Sequence, residues 1–480
     1  MKNLAPVTFI VSVMLVLLSI FMTLPPIFLP SAPNSSAFSD TAIGVFLLGV
    51  SGLWLTRSAS HRLQPRYMFL LTVSSWVIIS LLCALPLYLS NLHLSATDAI
   101  FESFSGITTT GSTVLSGLDA MAPDILLWRS IIQWIGGIGI IGMFVAVLPF
   151  LGIGGMRLFT TESSEWTEKA LPRMKSLSRG LLFVYCAFTV SCGLCYWLAG
   201  MDLFNAINHA FTTIATGGYS TSDSSMGQFN SLSILLISSL FMAVGAMPFF
   251  LFVRELHGQH GVLIRDQQVR TFIALLLVSA LIMTVYRLLN HGEHPFELFA
   301  TALFNVTSIV TTTGYASEDY LIWGPFTSAA FFFLTFVGGC SGSTSGGMKI
   351  FRFQLSFMVL REQFRRLLHP RAVQTRNFNG RPVSDEIIAS MIAYVFVFLV
   401  TMAVMTLLLS LLGVDLITSL TGSITALTNV GPGLGPVIGP AGNFAPLPDP
   451  AKWILSIGMI LGRLELLSVI ILFSPAFWRS

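Results

Sequence analysis

Charge is scarce in this chain: Asp, Glu, Lys and Arg supply 10% of its 480 residues, against about 25% in an ordinary soluble domain. So few charges cannot clothe a water-facing surface of that size, which excludes a conventional soluble enzyme or binding module. The five cysteines (Cys83, Cys186, Cys192, Cys195 and Cys340) lie in or beside apolar segments. They form no metal-ligand pattern with histidine and read as packing residues. A Gly-rich phosphate loop following a strand is also missing, so no nucleotide-binding domain is expected within the chain.

Apolar residues, by contrast, make up 54% of the sequence, and mean hydropathy is +0.79. A membrane span needs about 20 such residues. Runs of that kind fall near 8–29, 40–56, 68–90, 128–151, 180–200, 232–253, 271–290, 326–350, 387–412 and 452–473, which predicts about ten full spans. The first is long and is followed by Pro25-Pro26 rather than a small-residue cleavage site, so it reads as a retained helix.

Basic residues divide unevenly between the two sides of this ten-span scheme. With the amino terminus inside, the cytoplasmic side takes Lys2, Arg57, Arg62, Arg66, Arg157, Lys169, Arg173, Lys175, Arg179, Arg254, Arg265 and Arg270. The run from Lys349 to Arg381 and Arg479 fall there too. Arg129, Arg287 and Lys452 fall outside, and Arg463 lies within the last span. The asymmetry obeys the positive-inside rule and predicts both termini in the cytoplasm.

Four shorter apolar segments remain, near 97–110, 203–216, 296–313 and 416–430. Each is too short to cross and is predicted to be a re-entrant half-helix on the outer side. Their ends read Thr108-Thr109-Thr110-Gly111, Ile214-Ala215-Thr216-Gly217, Thr311-Thr312-Thr313-Gly314 and Thr428-Asn429-Val430-Gly431. The turns recur about every 100 residues, the signature of an internal repeat. The predicted fold is therefore an all-α integral membrane protein. An N-terminal transmembrane hairpin (1–60) precedes four span–half-helix–span repeats around a central pore, at 61–155, 156–257, 258–368 and 369–480.

Non-helical backbone at membrane depth is tolerated only where protein buries it or water reaches it. Four such turns around one axis can replace a cation's hydration shell with backbone carbonyls. Glycine permits the backbone angles and leaves the lumen open. The partially negative carboxyl ends of the half-helices favour a cation over an anion. The expected ion-binding filter is Thr109-Thr110-Gly111, Ala215-Thr216-Gly217, Thr312-Thr313-Gly314 and Asn429-Val430-Gly431.

These motifs resemble the Trk/Ktr/HKT superfamily of potassium transporters, and most closely the TrkH-type subunit of bacterial Trk potassium uptake systems. The matching stretches are 104–111 (FSGITTTG), 151–156 (LGIGGM), 338–344 (GGCSGST), 429–435 (NVGPGLG) and 462–465 (GRLE). The resemblance covers nearly the whole chain, including the extra N-terminal hairpin. It implies potassium uptake across a bacterial inner membrane, with potassium as substrate and no cofactor in this chain. It further implies a homodimer that works with a cytosolic, nucleotide-binding, TrkA-type regulatory ring protein. The second and fourth turns depart from a plain Thr-x-Gly pattern, and exact fourfold symmetry is absent.

The eighth span is interrupted by Gly338-Gly339-Cys340-Ser341-Gly342-Ser343-Thr344-Ser345-Gly346-Gly347. Five glycines and four hydroxyl residues in ten positions disfavour a continuous helix. The run reads either as small-residue packing, like Gly136, Gly137, Gly139 and Gly142, or as a loop below the filter that opens and closes the path. The resemblance implies the gate; Lys349, adjacent to the run, is expected to anchor its inner end. Arg463 near mid-membrane costs about 2.5–3.5 kcal/mol on insertion scales and requires a polar partner. It reads either as one half of an ion pair with another span or as a charge that faces the pore and bonds to this loop, the placement the resemblance supports. Glu465, two residues on, points to a different helix face and is a poor partner.

The basic run from Lys349 to Arg381 fits either anionic lipid headgroups or a docked regulator; no nucleic-acid partner is expected. Two other functions compete with ion conduction. An intramembrane protease would use Ser341, yet no span after Ser341 carries a histidine base. An ion-coupled solute carrier would need acidic residues at mid-membrane, and the candidates are Glu102 and Glu465. Spacing alone does not separate a channel-like pore from a sodium- or proton-coupled potassium symporter, or from a less selective potassium/sodium transporter.

Overall fold

The computed structural model describes residues 4–57, 65–146, 170–291, 294–370 and 376–479. The motif at 151–156 and the cations Lys2, Arg62, Arg157, Lys169 and Arg371 lie outside the described residues. The described chain is helical apart from its connecting segments and one two-stranded antiparallel hairpin, Asn377–Phe378 with Arg381–Pro382.

Seven helices are long and apolar enough to cross a membrane, or up to nine when two bent pairs are counted as single spans. The ten expected segments are all occupied, but three are broken. Leu232–Gly245 turns by 89° into Phe249–Leu256 at Pro248, which lacks an N–H and disfavours helix in the residue before it. Asp449–Arg463 turns by 108° into Leu466–Phe473, where Glu465 takes a left-handed φ of 60°. The eighth is only a ten-residue helix, Pro325–Leu334, before the chain enters the glycine-rich loop and resumes helix at Ile350–Leu368.

Burial separates the roles of the spans. Six of the continuous spans are 28–39% buried, whereas Pro123–Met143 is 72% buried. The former present apolar side chains such as Leu17, Leu55, Val190 and Leu411 outward, as a lipid-facing helix requires. The latter runs through the interior. Its Gly136 and Gly137 press against the pore turns: an added Cβ would stand 2.0 Å from Ile107 O and 3.1 Å from Ala215 Cβ, respectively. Gly139 backs on Trp76, and a Cβ added at Gly142 would meet nothing within 4 Å outside its own helix among the described residues.

The N-terminal hairpin packs Ala5–Met22 on Ser35–Thr56 through small residues, with Gly49 against Val16 and Gly52 against Ser12. Asn34 fastens it to the body. Its amide and side chain donate to the Asp124 carboxylate at 2.9 and 3.2 Å, and its side-chain oxygen accepts from Asn91 N at 2.8 Å.

The half-helices are Ala96–Ile107, Leu203–Ile214, Pro295–Val310 and Leu416–Thr428, none longer than 16 residues. Ser95, Asp202 and Asp415 accept from amides three residues on at 3.0–3.1 Å, while the third half-helix starts with Pro295. Side-chain caps and an N1 proline are the two common ways to satisfy or remove orphan N–H groups.

Candidate pore site

All four half-helices end in the same backbone device. The amides of Thr110, Gly217, Thr313 and Val430 each donate to the carbonyl five residues back: Ser105, Thr212, Ser308 and Thr425, at 2.8–3.2 Å. The preceding residues, Thr109, Thr216, Thr312 and Asn429, have left-handed φ of 51–59°. This is the Schellman type of helix ending, with a side-chain-bearing residue where glycine is usual. The following residues, Gly111, Gly218, Gly314 and Gly431, also have positive φ, between 77 and 108°. Two left-handed residues bracketing one residue without a positive φ make the turn, four times over.

The turns close into a ring. A Cβ on Gly111 would lie 2.2 Å from Gly217 O, and one on Gly218 would lie 1.8 Å from Thr313 O. One on Gly314 would lie 2.1 Å from Val430 O, and one on Gly431 would lie 2.7 Å from Thr110 O. Each glycine thus faces the carbonyl of the next repeat, and the fourth returns to the first. The second repeat differs in register from the sequence expectation. Gly218, not Gly217, takes the glycine position, Gly217 stands where the others carry Thr110, Thr313 and Val430, and Ala215 matches Thr108. Two adjacent glycines made the alignment ambiguous, and the helix-ending hydrogen bond resolves it.

Buried polar side chains brace the ring from behind. Thr108 pairs with Thr110 at 2.7 Å and Thr311 with Thr313 at 2.8 Å through their hydroxyls. Asn429 Nδ2 donates to Thr110 Oγ1 and Met459 O at 3.0 and 2.9 Å. Gln133 Nε2 donates to Gly217 O at 2.7 Å. Sequence reading missed Gln133, and it weighed Glu102 only as a coupling group. Glu102 is fully buried and accepts from Arg129 Nε at 2.8 Å, Thr113 Oγ1 at 3.0 Å and Val114 N at 3.0 Å. Arg129 also donates to Ser220 O at 3.0 Å and covers the Tyr219 ring at 4.1 Å. Arg129 and Gln133, four apart on the deeply buried helix, were the available signal: polar groups in an apolar span need partners.

The Gly338–Gly347 loop sits against this ring and is stitched to the broken spans. Cys340 N and Thr344 N donate to Ala246 O and Gly245 O at 2.9 and 3.2 Å, and Phe249 N donates to Gly342 O at 3.0 Å. The polar groups released where Leu232–Gly245 stops are therefore satisfied by the loop, as buried backbone demands. Gly347 N donates to Thr428 O at 2.7 Å, and Gly346 N to Thr312 Oγ1 at 2.6 Å. Thr344 Oγ1 accepts from Thr216 Oγ1 at 3.2 Å and donates to Ile214 O at 2.9 Å. The loop thereby touches the ends of the second, third and fourth half-helices. Ser341 N donates to Gln268 Oε1 at 3.0 Å, and His209 Nε2 contacts Ser220 Oγ instead.

Arg463 is buried, and its Nη1 donates to Thr344 O at 2.7 Å, with Nη2 3.4 Å from Gly136 O. It thus joins the loop to the interior helix, and no ion pair to it occurs among the described residues. Glu465 instead pairs with buried Arg352 at 2.6 Å, whose guanidinium lies 3.6 Å over the Tyr394 ring. Lys349, in a left-handed conformation, donates its ammonium to Ser345 O. Between these groups lies a cavity of about 20 Å³ lined by Ile140, Ser343, Gly346, Lys349 and Arg463, room for about one water.

Comparison with known proteins gives a consistent set of likenesses. A profile of the TrkH family, described as cation transport protein, matches residues 34–480. The chain is 48% identical over 484 residues to the Trk system potassium uptake protein TrkI of Halomonas elongata, covering 100% of this chain and 98% of that protein. It is 37% identical over 454 residues to the Trk system potassium uptake protein TrkH of Escherichia coli K12, covering 92% of each. The crystal structure of the potassium transporter TrkH from Vibrio parahaemolyticus matches with a TM-score of 0.91 at 34% identity, over 99% of this chain and 100% of that one.

Proposed function

The chain belongs to the TrkH family of cation transport proteins, and from that premise we propose that it takes up potassium ions across a bacterial inner membrane. It is a multi-pass membrane transporter and not an enzyme. The observation that carries the potassium reading is the closed ring of four equivalent turns, in which each glycine faces the next repeat's carbonyl. Thr109, Thr110, Gly111, Thr216, Gly217, Gly218, Thr312, Thr313, Gly314, Asn429, Val430 and Gly431 form the filter, with Ala215 as the helix-end residue before it. Their carbonyls replace the hydration shell of potassium, and the helix carboxyl ends favour positive charge at this depth. The membrane potential supplies about 2.3 kcal/mol per charge per 100 mV for inward movement.

The loop Gly338–Gly347 is the gate. Its hydrogen bonds to three half-helix ends and the small cavity beneath it support a path blocked in this conformation. Arg463 adds a positive charge at the obstruction and ties the loop down through Thr344 O, and Lys349 holds its inner end. A coupled symporter is the weaker reading: Glu102 and Glu465, its acidic candidates, already hold Arg129 and Arg352. The functional unit is a homodimer with both termini in the cytoplasm. A TrkA-type nucleotide-binding ring and anionic lipid share the basic inner surface between Lys349 and Arg381.

The test is rubidium uptake into proteoliposomes by the wild-type chain and Gly314→Asp. A carboxylate in the ring should abolish selective flux. Unchanged rate and selectivity in the variant would remove the filter assignment.

A further inference from the structure

The ring of seam carbonyls, Thr110 O, Gly217 O, Thr313 O and Val430 O, is not held in the same way in each repeat. In the first and third repeats a threonine sits at this position, and its hydroxyl pairs with that of the threonine two residues earlier. The second repeat has glycine at 217 and alanine at 215, so it possesses neither hydroxyl. The vacancy is filled from a different element. Gln133, fully buried on the interior helix Pro123–Ala146, occupies the space a side chain at 217 would take: a Cβ there would lie 2.4 Å from the Gln133 amide carbon.

The Gln133 amide does more than fill space. Its Nε2 donates to Gly217 O at 2.7 Å, and its Oε1 accepts from Tyr219 N at 3.0 Å. It therefore spans Gly218, the left-handed glycine of the turn, binding the peptide groups on both sides of it. Among the described residues, Gly217 O is the seam carbonyl that accepts a side-chain hydrogen bond. A peptide flanked by two glycines has the widest choice of backbone angles. Without a brace, its carbonyl would be the one freest to rotate out of the ring.

We propose that Gln133 is a positioning residue for ion selectivity. It serves as the surrogate side chain of the second repeat and fixes the Gly217 carbonyl at the distance that distinguishes a larger from a smaller monovalent cation. This rests on the filter reading above, and it assigns a role to a residue outside all four turns. Its neighbour one helical turn earlier, Arg129, locks Ser220 of the same segment, so the interior helix aligns the second turn through two side chains four residues apart.

The test compares rubidium and sodium uptake in proteoliposomes for Gln133→Leu, Gly217→Thr and the swap Gln133→Ala/Gly217→Thr. Leucine keeps the bulk and removes the amide, so the rubidium-to-sodium ratio should fall roughly fivefold, the worth of one neutral hydrogen bond. Gly217→Thr alone should lose transport, because its two further branch atoms, unlike a lone methyl, overfill the buried space that the Gln133 amide occupies. The swap puts the threonine of the other repeats into the vacated space and should recover both transport and ratio. An unchanged ratio in Gln133→Leu overturns the inference, as does a swap no better than Gly217→Thr alone. With Gly314→Asp dead and the Gln133→Leu ratio unchanged, this inference fails and the filter stands. With Gly314→Asp fully active, the filter reading itself fails.

Discussion

Exchanging Gly218 and Gly217 one at a time for alanine separates the observed register from the one the sequence suggests. At Gly218 the φ of +77° is left-handed and the added methyl would stand 1.8 Å from Thr313 O. The left-handed conformation alone costs an alanine about 1–2 kcal/mol. The overlap is with a backbone atom of the neighbouring repeat, so relief requires moving the ring itself. A total near 3 kcal/mol is a conservative figure, equal to roughly a hundredfold loss at 1.36 kcal/mol per decade. At Gly217 the φ is ordinary, and the methyl meets the end of the Gln133 side chain. That chain can withdraw, at the cost of about one hydrogen bond, near 1 kcal/mol. Rubidium uptake by purified protein in proteoliposomes, normalised to folded protein, should therefore collapse for Gly218→Ala and fall only several-fold for Gly217→Ala. Gly314→Ala, with φ +82° and a methyl 2.1 Å from Val430 O, should match Gly218→Ala. Equal losses at 217 and 218, or a greater loss at 217, would refute the register and with it the fourfold equivalence of the turns.

Two further outcomes follow from buried charge. Arg463→Ala removes the donor to Thr344 O and the positive charge below the ring, so steady rubidium flux should rise several-fold; equal or lower flux at normal expression counts against a gating role. Glu465→Gln leaves buried Arg352 without its counter-ion, a change worth about 3–5 kcal/mol; a thermal shift assay should show a clearly lower midpoint, and an unchanged midpoint would mean the pair is dispensable to the bend at Glu465.

The membrane class was legible because it depends on totals: few charges and long apolar runs leave no alternative solvent. The half-helices were legible because they were the apolar segments too short to cross, each with a turn at its end. The broken spans were less so. The glycine run marked one of the breaks, whereas the bend at Pro248 falls within a run that reads as one continuous span. A glutamate such as Glu465 does not ordinarily adopt a left-handed φ; its pairing with Arg352, more than 100 residues away, accompanies the break there. Glu102 was visible as an intramembrane acid, yet its partner Arg129 had been assigned to the outer surface, since hydropathy cannot tell a buried paired cation from a solvated one.

What the sequence by itself determined is the set of elements and their periodicity, since span length and turn chemistry are local properties. Family membership was legible in the same way, from motifs read in line. What only the tertiary structure decided is which atoms share the ring. Whether Gly217 or Gly218 faces Thr313 O depends on a hydrogen bond to Thr212 and on a glutamine more than 80 residues earlier in the chain. Such contacts between repeats are set by packing around a common axis, and no local pattern encodes them.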